Sequence, residues 1–381
     1  MLPVHAPLFS HAQGIYQKHL AQTREALAEY LDGDADSLAF VLNARSARRT
    51  PVHCCLSFVH THSKSRRTHP PALGQTHPLT NKHKHTTIYT PPLPHTQPHL
   101  SSFLLPTHQP ISDGVNAVLN ACCHSPDDGI LTLSCAYPMV KNAIQTLAAE
   151  GRCHNLSVQL ELPCQRPEDI VEAVRRALQA RRASGDQRPL VAAVFSHIVS
   201  TPGIILPVED IARVCKAYGV QRVAVDAAHA IGQVKIRLSQ LCDAGVDYYV
   251  TNAHKWMYAP KGTAVLMVKD PKGLRPIRPL IVSSEAARAA NNRRQFDYIG
   301  TRDYTAYCAI PAALDFRMKL GDERILHYLH SLAQWAGHYL ATLWGTEIMC
   351  PDSMVAAMVN VRLPTYNAGR EEEEGGGESG C

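Results

Sequence analysis

The 381-residue chain is predicted to be an α/β protein built on a mainly parallel sheet. Three observations predict this. Over residues 129–269, short apolar runs rich in β-branched residues alternate with stretches of helical length, the order of a doubly wound domain. The run RVAVD ends abruptly in Asp226, as a buried parallel strand that presents a carboxylate at its carboxyl edge does. A second run, Asp247 to Val250, ends in Thr251, Asn252, His254 and Lys255. Ligands of open α/β sheets bind at that edge. Two strand ends therefore offer an acid and an amine.

The elements follow in chain order. Over 13–31, Ile15, Leu20, Leu27 and Leu31 fall among Gln, Lys, Arg and Glu at near-helical spacing, which predicts an amphipathic helix. SLAFVLNA, 37–44, reads as a strand. Residues 45–111 differ in texture: they are dense in His, Pro and Thr, contain no Asp or Glu, and show neither helical nor strand periodicity. Such a segment buries too little surface to offset its conformational entropy and is expected to be disordered. Ser112 and Asp113 then precede Gly114 and a helical run. Beyond it come strand 129–135, helix 138–149 with Pro at its start, strand 156–162, helix 167–182, strand 190–196 and helix 207–218. The two strands that end in Asp226 and Val250 follow, then strand 263–269 and a helical region over 303–343. An acidic, Gly-rich tail, NAGREEEEGGGESGC, closes the chain.

Composition narrows the function classes. Hydrophobic content of 45% predicts a globular core. The formal charge of +5 does not point to nucleic acid, because Arg45, Arg48, Arg49, Lys64, Arg66, Arg67, Lys82 and Lys84 all lie in the 45–111 segment and the remainder is slightly acidic. Twelve Cys without framework spacing favour reduced thiols. No apolar run approaches the roughly 18 residues a membrane span requires. A cytoplasmic protein with no membrane and no nucleic-acid partner is expected. Paired histidines such as His60 with His62 and His83 with His85 imply no fixed coordination geometry, so no metal site is expected.

An Asp and a Lys on strand ends suit pyridoxal phosphate. The lysine amine forms a Schiff base with the aldehyde, and a buried Asp keeps the pyridine nitrogen protonated. Taken singly, the Asp reads as a helix N-cap and the His-Lys pair as solvated surface. Order and spacing decide otherwise. DAAHA, then TNAHKW about 26 residues later, then APKG resemble the class V aminotransferase family of fold-type-I enzymes. SHIVSTPGIILPV, VDAAHAIG, NAHKW and IGTRDYTAY most resemble its branch of L-cysteine desulfhydrases, hercynylcysteine sulfoxide lyases and isopenicillin-N-epimerase-like proteins.

The resemblance implies a large domain with a mainly parallel seven-stranded sheet between helices, and a truncated small C-terminal domain. The implied organisation is a first helix and strand over 1–44 with a clipped start, an insertion over 45–111, a cofactor-binding domain over 112–302, linking helices and a partial small domain over 303–365, and a disordered tail over 366–381. The insertion separates two halves of one phosphate-binding motif, and a mis-called gene model explains it most economically.

The resemblance makes Lys255 the catalytic residue, both the cofactor's attachment point and the base for the substrate α-proton. Asp226 pairs with the pyridine nitrogen, and His229 and Ser200 lie near the cofactor's phenolic oxygen. The phosphate cup is built from Ser112, Asp113 and Gly114, with Thr251 or Asn252 and His254. Thr301 enters the cup from a neighbouring subunit, with Arg302 close by, which implies a homodimer. Many relatives stack a His on the cofactor ring; here Cys135 stands in its place, with Tyr137 as the alternative. No counterpart is assigned to the arginine that grips the substrate carboxylate. The implied reaction is C–S bond cleavage in a cysteine-like amino acid or S-conjugate, with epimerisation or desulfuration, or an inactive truncated member, as alternatives.

Overall fold

The computed structural model describes residues 6–42, 110–269, 277–283, 292–297, 299–300 and 303–364. These belong to one unit of the chain, comprising 1–48 and 107–381; the other unit, 49–106, lies outside the described residues, as does nearly all of the expected insertion. The tail over 366–381 and both Thr301 and Arg302 are outside them too.

Seven strands form one sheet: β1 (Leu38–Leu42), β2 (Gly129–Leu133), β3 (His154–Val158), β4 (Leu190–Ser196), β5 (Arg222–Ala227), β6 (Tyr248–Thr251) and β7 (Thr263–Val268). Their spatial order is β1-β7-β6-β5-β4-β2-β3. The five strands from β3 to β6 are mutually parallel, and β7 is antiparallel to both of its neighbours. The expected mainly parallel seven-stranded sheet is therefore present.

Eleven helices are described: α1 (Ala6–Leu31), α2 (Pro110–Cys122), α3 (Pro138–Ala149), α4 (Pro167–Ala183), α5 (Val208–Ala217), α6 (Leu238–Asp243), α7 (Ala253–Trp256), α8 (Asn292–Asp297), α9 (Thr305–Cys308), α10 (Ile310–Leu320) and α11 (Asp322–Trp344). They cover both sheet faces. Leu20, Leu27 and Leu31 of α1 pack with Ile170 and Val174 of α4 and Ile211 of α5 against Leu131, Phe195, Val223 and Val225. On the other face Val115, Val118 and Leu119 of α2 and Val140 and Ile144 of α3 meet Ile130, Ala192, Val194, Ala224 and Val250. Burial on two faces explains why β2, β4 and β7 are buried throughout and mostly apolar rather than alternating.

Among the boundaries that differ from the sequence reading, three have a clear physical reason. β3 was expected over 156–162 but runs from His154 to Val158, because as an edge strand it pairs only with β2, from Gly129 opposite His154 to Leu133 opposite Val158. Past that point Leu160 donates its backbone N–H to Ser134 Oγ at 3.0 Å. The helix expected to begin after Ser112 and Asp113 already begins at Pro110, so Ser112, Asp113 and Gly114 lie inside α2 rather than ahead of it. The helical region over 303–343 is three helices, with α10 and α11 parted at Gly321, whose φ of +87° suits a residue without Cβ.

Helix α11 carries an outward stripe of Tyr328, Leu332, Trp335, Tyr339 and Leu343, all exposed, in steps of three and four residues. Among the described residues no helix is long and apolar enough to cross a membrane.

Candidate active site

Parallel pairing brings the decisive residues to one edge. Ser196 lies beside Asp226 in the β4–β5 register, and Ala227 lies beside Thr251 in the β5–β6 register. Loops carrying His197 to Ser200, Ala228 to Gly232 and Asn252 to Tyr258 therefore leave the sheet side by side. Strand alternation turns Asp226 to the same face as Ala224, towards the core of α2 and α3, since Val223, Val225 and Ala227 fill the opposite one.

Asp226 is only 4% exposed and accepts the backbone N–H of Ala228 at 3.1 Å. Among the described residues it has no ion-pair partner. Burial raises its pKa, while the Ala228 N–H pulls it down. Tyr249, from the adjacent strand, is buried beside it, and its hydroxyl is pushed far up in pKa by burial and by the Asp226 charge. That hydroxyl lies 2.7 Å from His197 Nδ1, and burial depresses the His197 pKa to about 4.

Lys255 projects from the short helix α7 with its Nζ 2.9 Å from His229 Nε2. On the other side of the ring, the Trp256 indole Nε1–H donates to His229 Nδ1 at 3.2 Å. Burial pushes the His229 pKa down to about 3, so the ring is neutral at physiological pH. The sequence reading brought Asp226, His229 and Lys255 to the sheet edge, and the structure places all three there.

The expected phosphate cup is met unevenly. The Thr251 hydroxyl donates to Ala227 O at 2.8 Å and accepts the Ile231 N–H at 3.4 Å, so its bonds tie β6 to the loop after β5. Asn252 is 2% exposed, and its Oδ1, an acceptor, has no hydrogen-bond partner among the described residues. His254 contacts Thr263 O through Nδ1 at 2.7 Å, bolting α7 to β7. Ser112 is buried, and its backbone carbonyl accepts from Asn116 Nδ2 at 2.8 Å; Gly114 is buried and Asp113 half-buried. Ser200 is half-buried and forms no hydrogen bond among the described residues. Cys135 packs half-buried against the core under α1 and α4, with its thiol pushed up to about 11 by burial, whereas Tyr137 is exposed at the start of α3.

Arg317 is the large contribution that motif reading missed. It is fully buried, donates to Trp256 O at 2.8 Å and Gly232 O at 3.2 Å, and pairs with Asp322 at 2.5 Å. Its guanidinium lies 5.0 Å from the Tyr258 ring centroid. One side chain on α10 thus clamps the loop of His229 to the loop of Lys255. Gly232 permits the close approach: its φ is +84°, and a Cβ there would meet Trp256 O at 2.3 Å. A basic residue on a helix far downstream carries no local signal of such a role.

The residues at this edge fit pyridoxal phosphate: the buried Asp226 carboxylate, with no ion-pair partner among the described residues, matches a protonated pyridine nitrogen, and the Lys255 amine at the same edge matches the aldehyde.

Similarities to known proteins agree with that fit. The profile of the family described as aminotransferase class-V matches residues 178–372. L-cysteine desulfhydrase of Arabidopsis thaliana is 33% identical over 244 residues, 64% of this chain and 52% of the relative. Hercynylcysteine sulfoxide lyase of Schizosaccharomyces pombe is 29% identical over 273 residues, 67% of this chain and 64% of the relative. A solved structure of a C-DES lysine-to-alanine mutant, with glycine covalently linked to its PLP cofactor, superposes with a TM-score of 0.61 at 17% identity over 94% of this chain and 76% of that one. The chain spans about half the length of the curated plant relatives it matches. With a family profile that covers just over half of its residues, the chain belongs to the class-V aminotransferases, whose cofactor is pyridoxal phosphate.

Proposed function

We propose that this chain cleaves the C–S bond of a cysteine-like amino acid or S-conjugate. The observation that carries the reading is the juxtaposition of the Lys255 amine, 2.9 Å from a neutral buried imidazole, with a buried carboxylate that has no cation among the described residues. Bound pyridoxal phosphate supplies an electron sink for a substrate carbanion. Lys255 holds the cofactor and takes the substrate α-proton on Nζ. Asp226 would pair with the ring nitrogen of the bound cofactor and hold a proton there by its charge. The β-carbon–sulfur bond of the substrate then breaks. Similarity to a desulfhydrase and a sulfoxide lyase supports this reaction class.

Purified protein supplied with pyridoxal phosphate and L-cysteine or a cysteine sulfoxide conjugate is expected to release pyruvate and a sulfur product. Racemised substrate without pyruvate would instead make it an epimerase, and neither product would make it inactive. Asp226→Asn is expected to retain bound cofactor and lose turnover by about a hundredfold, because an uncharged pyridine is a poor electron sink. Undiminished turnover in that variant would remove Asp226 from the mechanism.

We further propose that the competent form is a homodimer. The exposed stripe from Tyr328 to Leu343 supports it, since an apolar row of this length on a helix calls for a covering surface. Sedimentation is expected to give twice the chain mass of 41.9 kDa. A fully active monomer would refute the dimer.

A further inference from the structure

Trp256 closes a hydrogen-bond chain that ends on Lys255. An indole Nε1–H has a hydrogen to give and no lone pair to receive one. It lies 3.2 Å from His229 Nδ1, so Nδ1 carries no proton. A neutral imidazole has a single N–H, which must then sit on Nε2, 2.9 Å from Lys255 Nζ. An imidazolium would set N–H against N–H at the indole, and burial independently keeps His229 uncharged. Because Nε2–H points at Nζ, the amine receives it on a lone pair. An ammonium has none.

Both ends of this chain are held by backbone. Arg317 grips the Trp256 carbonyl, Gly232 packs against the same carbonyl, and Gln233 Nε2 donates to the His229 carbonyl at 2.8 Å. The indole and imidazole are therefore aimed before any cofactor arrives.

We propose that Trp256 is a positioning residue that locks His229 as an Nε2–H donor and so keeps the Lys255 amine unprotonated, ready to attack the cofactor aldehyde. In that attack the amine lone pair adds to the aldehyde carbon and water leaves. His229 acts here only as a donor, never as the base. The consequence for attachment rests on the function proposed above, whereas the tautomer is a property of the cofactor-free protein.

The test begins without cofactor. In protein labelled with ¹⁵N-histidine, long-range ¹H–¹⁵N correlation, with His229→Gln to assign the signal, is expected to show an unprotonated Nδ1 and a protonated Nε2. Trp256→Phe is expected to admit the Nδ1–H tautomer and to slow attachment of pyridoxal phosphate, followed by absorbance, about tenfold. A wild-type His229 bearing Nδ1–H overturns the proposal, as does a folded Trp256→Phe with unchanged tautomer and rate. Should Trp256→Phe fail to fold, His229→Gln against His229→Leu decides. A glutamine carbonyl accepts the indole N–H while its amide donates to the lysine, so attachment is expected to be about tenfold faster than with leucine, and equal rates overturn the proposal. If wild type attaches no cofactor, the proposed function fails while the imidazole spectrum still settles the tautomer.

Discussion

Lys255→Ala is expected to abolish the visible absorbance of the bound cofactor and to lower turnover by about four orders of magnitude, since in the mechanism proposed above one nitrogen serves as both attachment point and base. Stability should barely change. Lys255 is exposed on α7, and the neighbouring packing is carried by buried Ala253 and Met257. Substitutions at exposed positions generally shift stability by no more than about 0.5 kcal/mol. Thermal denaturation of the variant beside its absorption spectrum separates the two effects. A variant that keeps both colour and turnover would show that another amine carries the cofactor.

Arg317→Ala is expected to cost about 3 kcal/mol or more of folding stability, read by chemical denaturation. The cost has three sources: the carbonyls of Trp256 and Gly232 lose their donor, Asp322 loses its cation, and the Tyr258 ring loses the guanidinium beneath it. Tyr30 shares the strain, because its hydroxyl donates to Asp322 at 2.9 Å and so ties α1 to the same cluster. Arg317→Lys should recover only part of the loss, since one ammonium cannot reach two carbonyls and a carboxylate in a planar fork. The loops of His229 and Lys255 should also loosen, which weakens cofactor binding even where the protein stays folded. Unchanged denaturation midpoints in both variants would reduce Arg317 to a space-filling residue.

The strands that end in Asp226 and Thr251 were legible because each is a short apolar run whose chemistry changes at its last residue. Position along the chain suffices there. A parallel strand always delivers its last residues to the carboxyl edge, so the order DAAHA, NAHKW, APKG placed Asp226, His229 and Lys255 together without coordinates. The end of β3 was not legible at the same level: LSVQLEL favours strand throughout, yet only the length of β2 decides how much of it finds hydrogen-bond partners. The early start of α2 at Pro110 likewise moved Ser112 and Asp113 from a loop into a helical turn.

By itself, then, the sequence determined the α/β class, the mainly parallel sheet and the residues at its working edge, because periodicity and strand-end chemistry are local properties. Only the tertiary structure decided how those residues are held. The indole of Trp256 meets a histidine 27 positions earlier, Tyr249 meets His197 across 52, and Arg317 reaches Gly232 across 85. Each contact joins side chains or carbonyls from separate elements, and no local pattern encodes it. The same folding assigns the hydrogen-bonding groups: Thr251 is consumed between strands, Asn252 keeps a buried oxygen that is unpaired among the described residues, and His229 is left with one hydrogen to give. Hydrogen-bond valence is settled by which groups face each other after burial, and that is a property of the packed molecule.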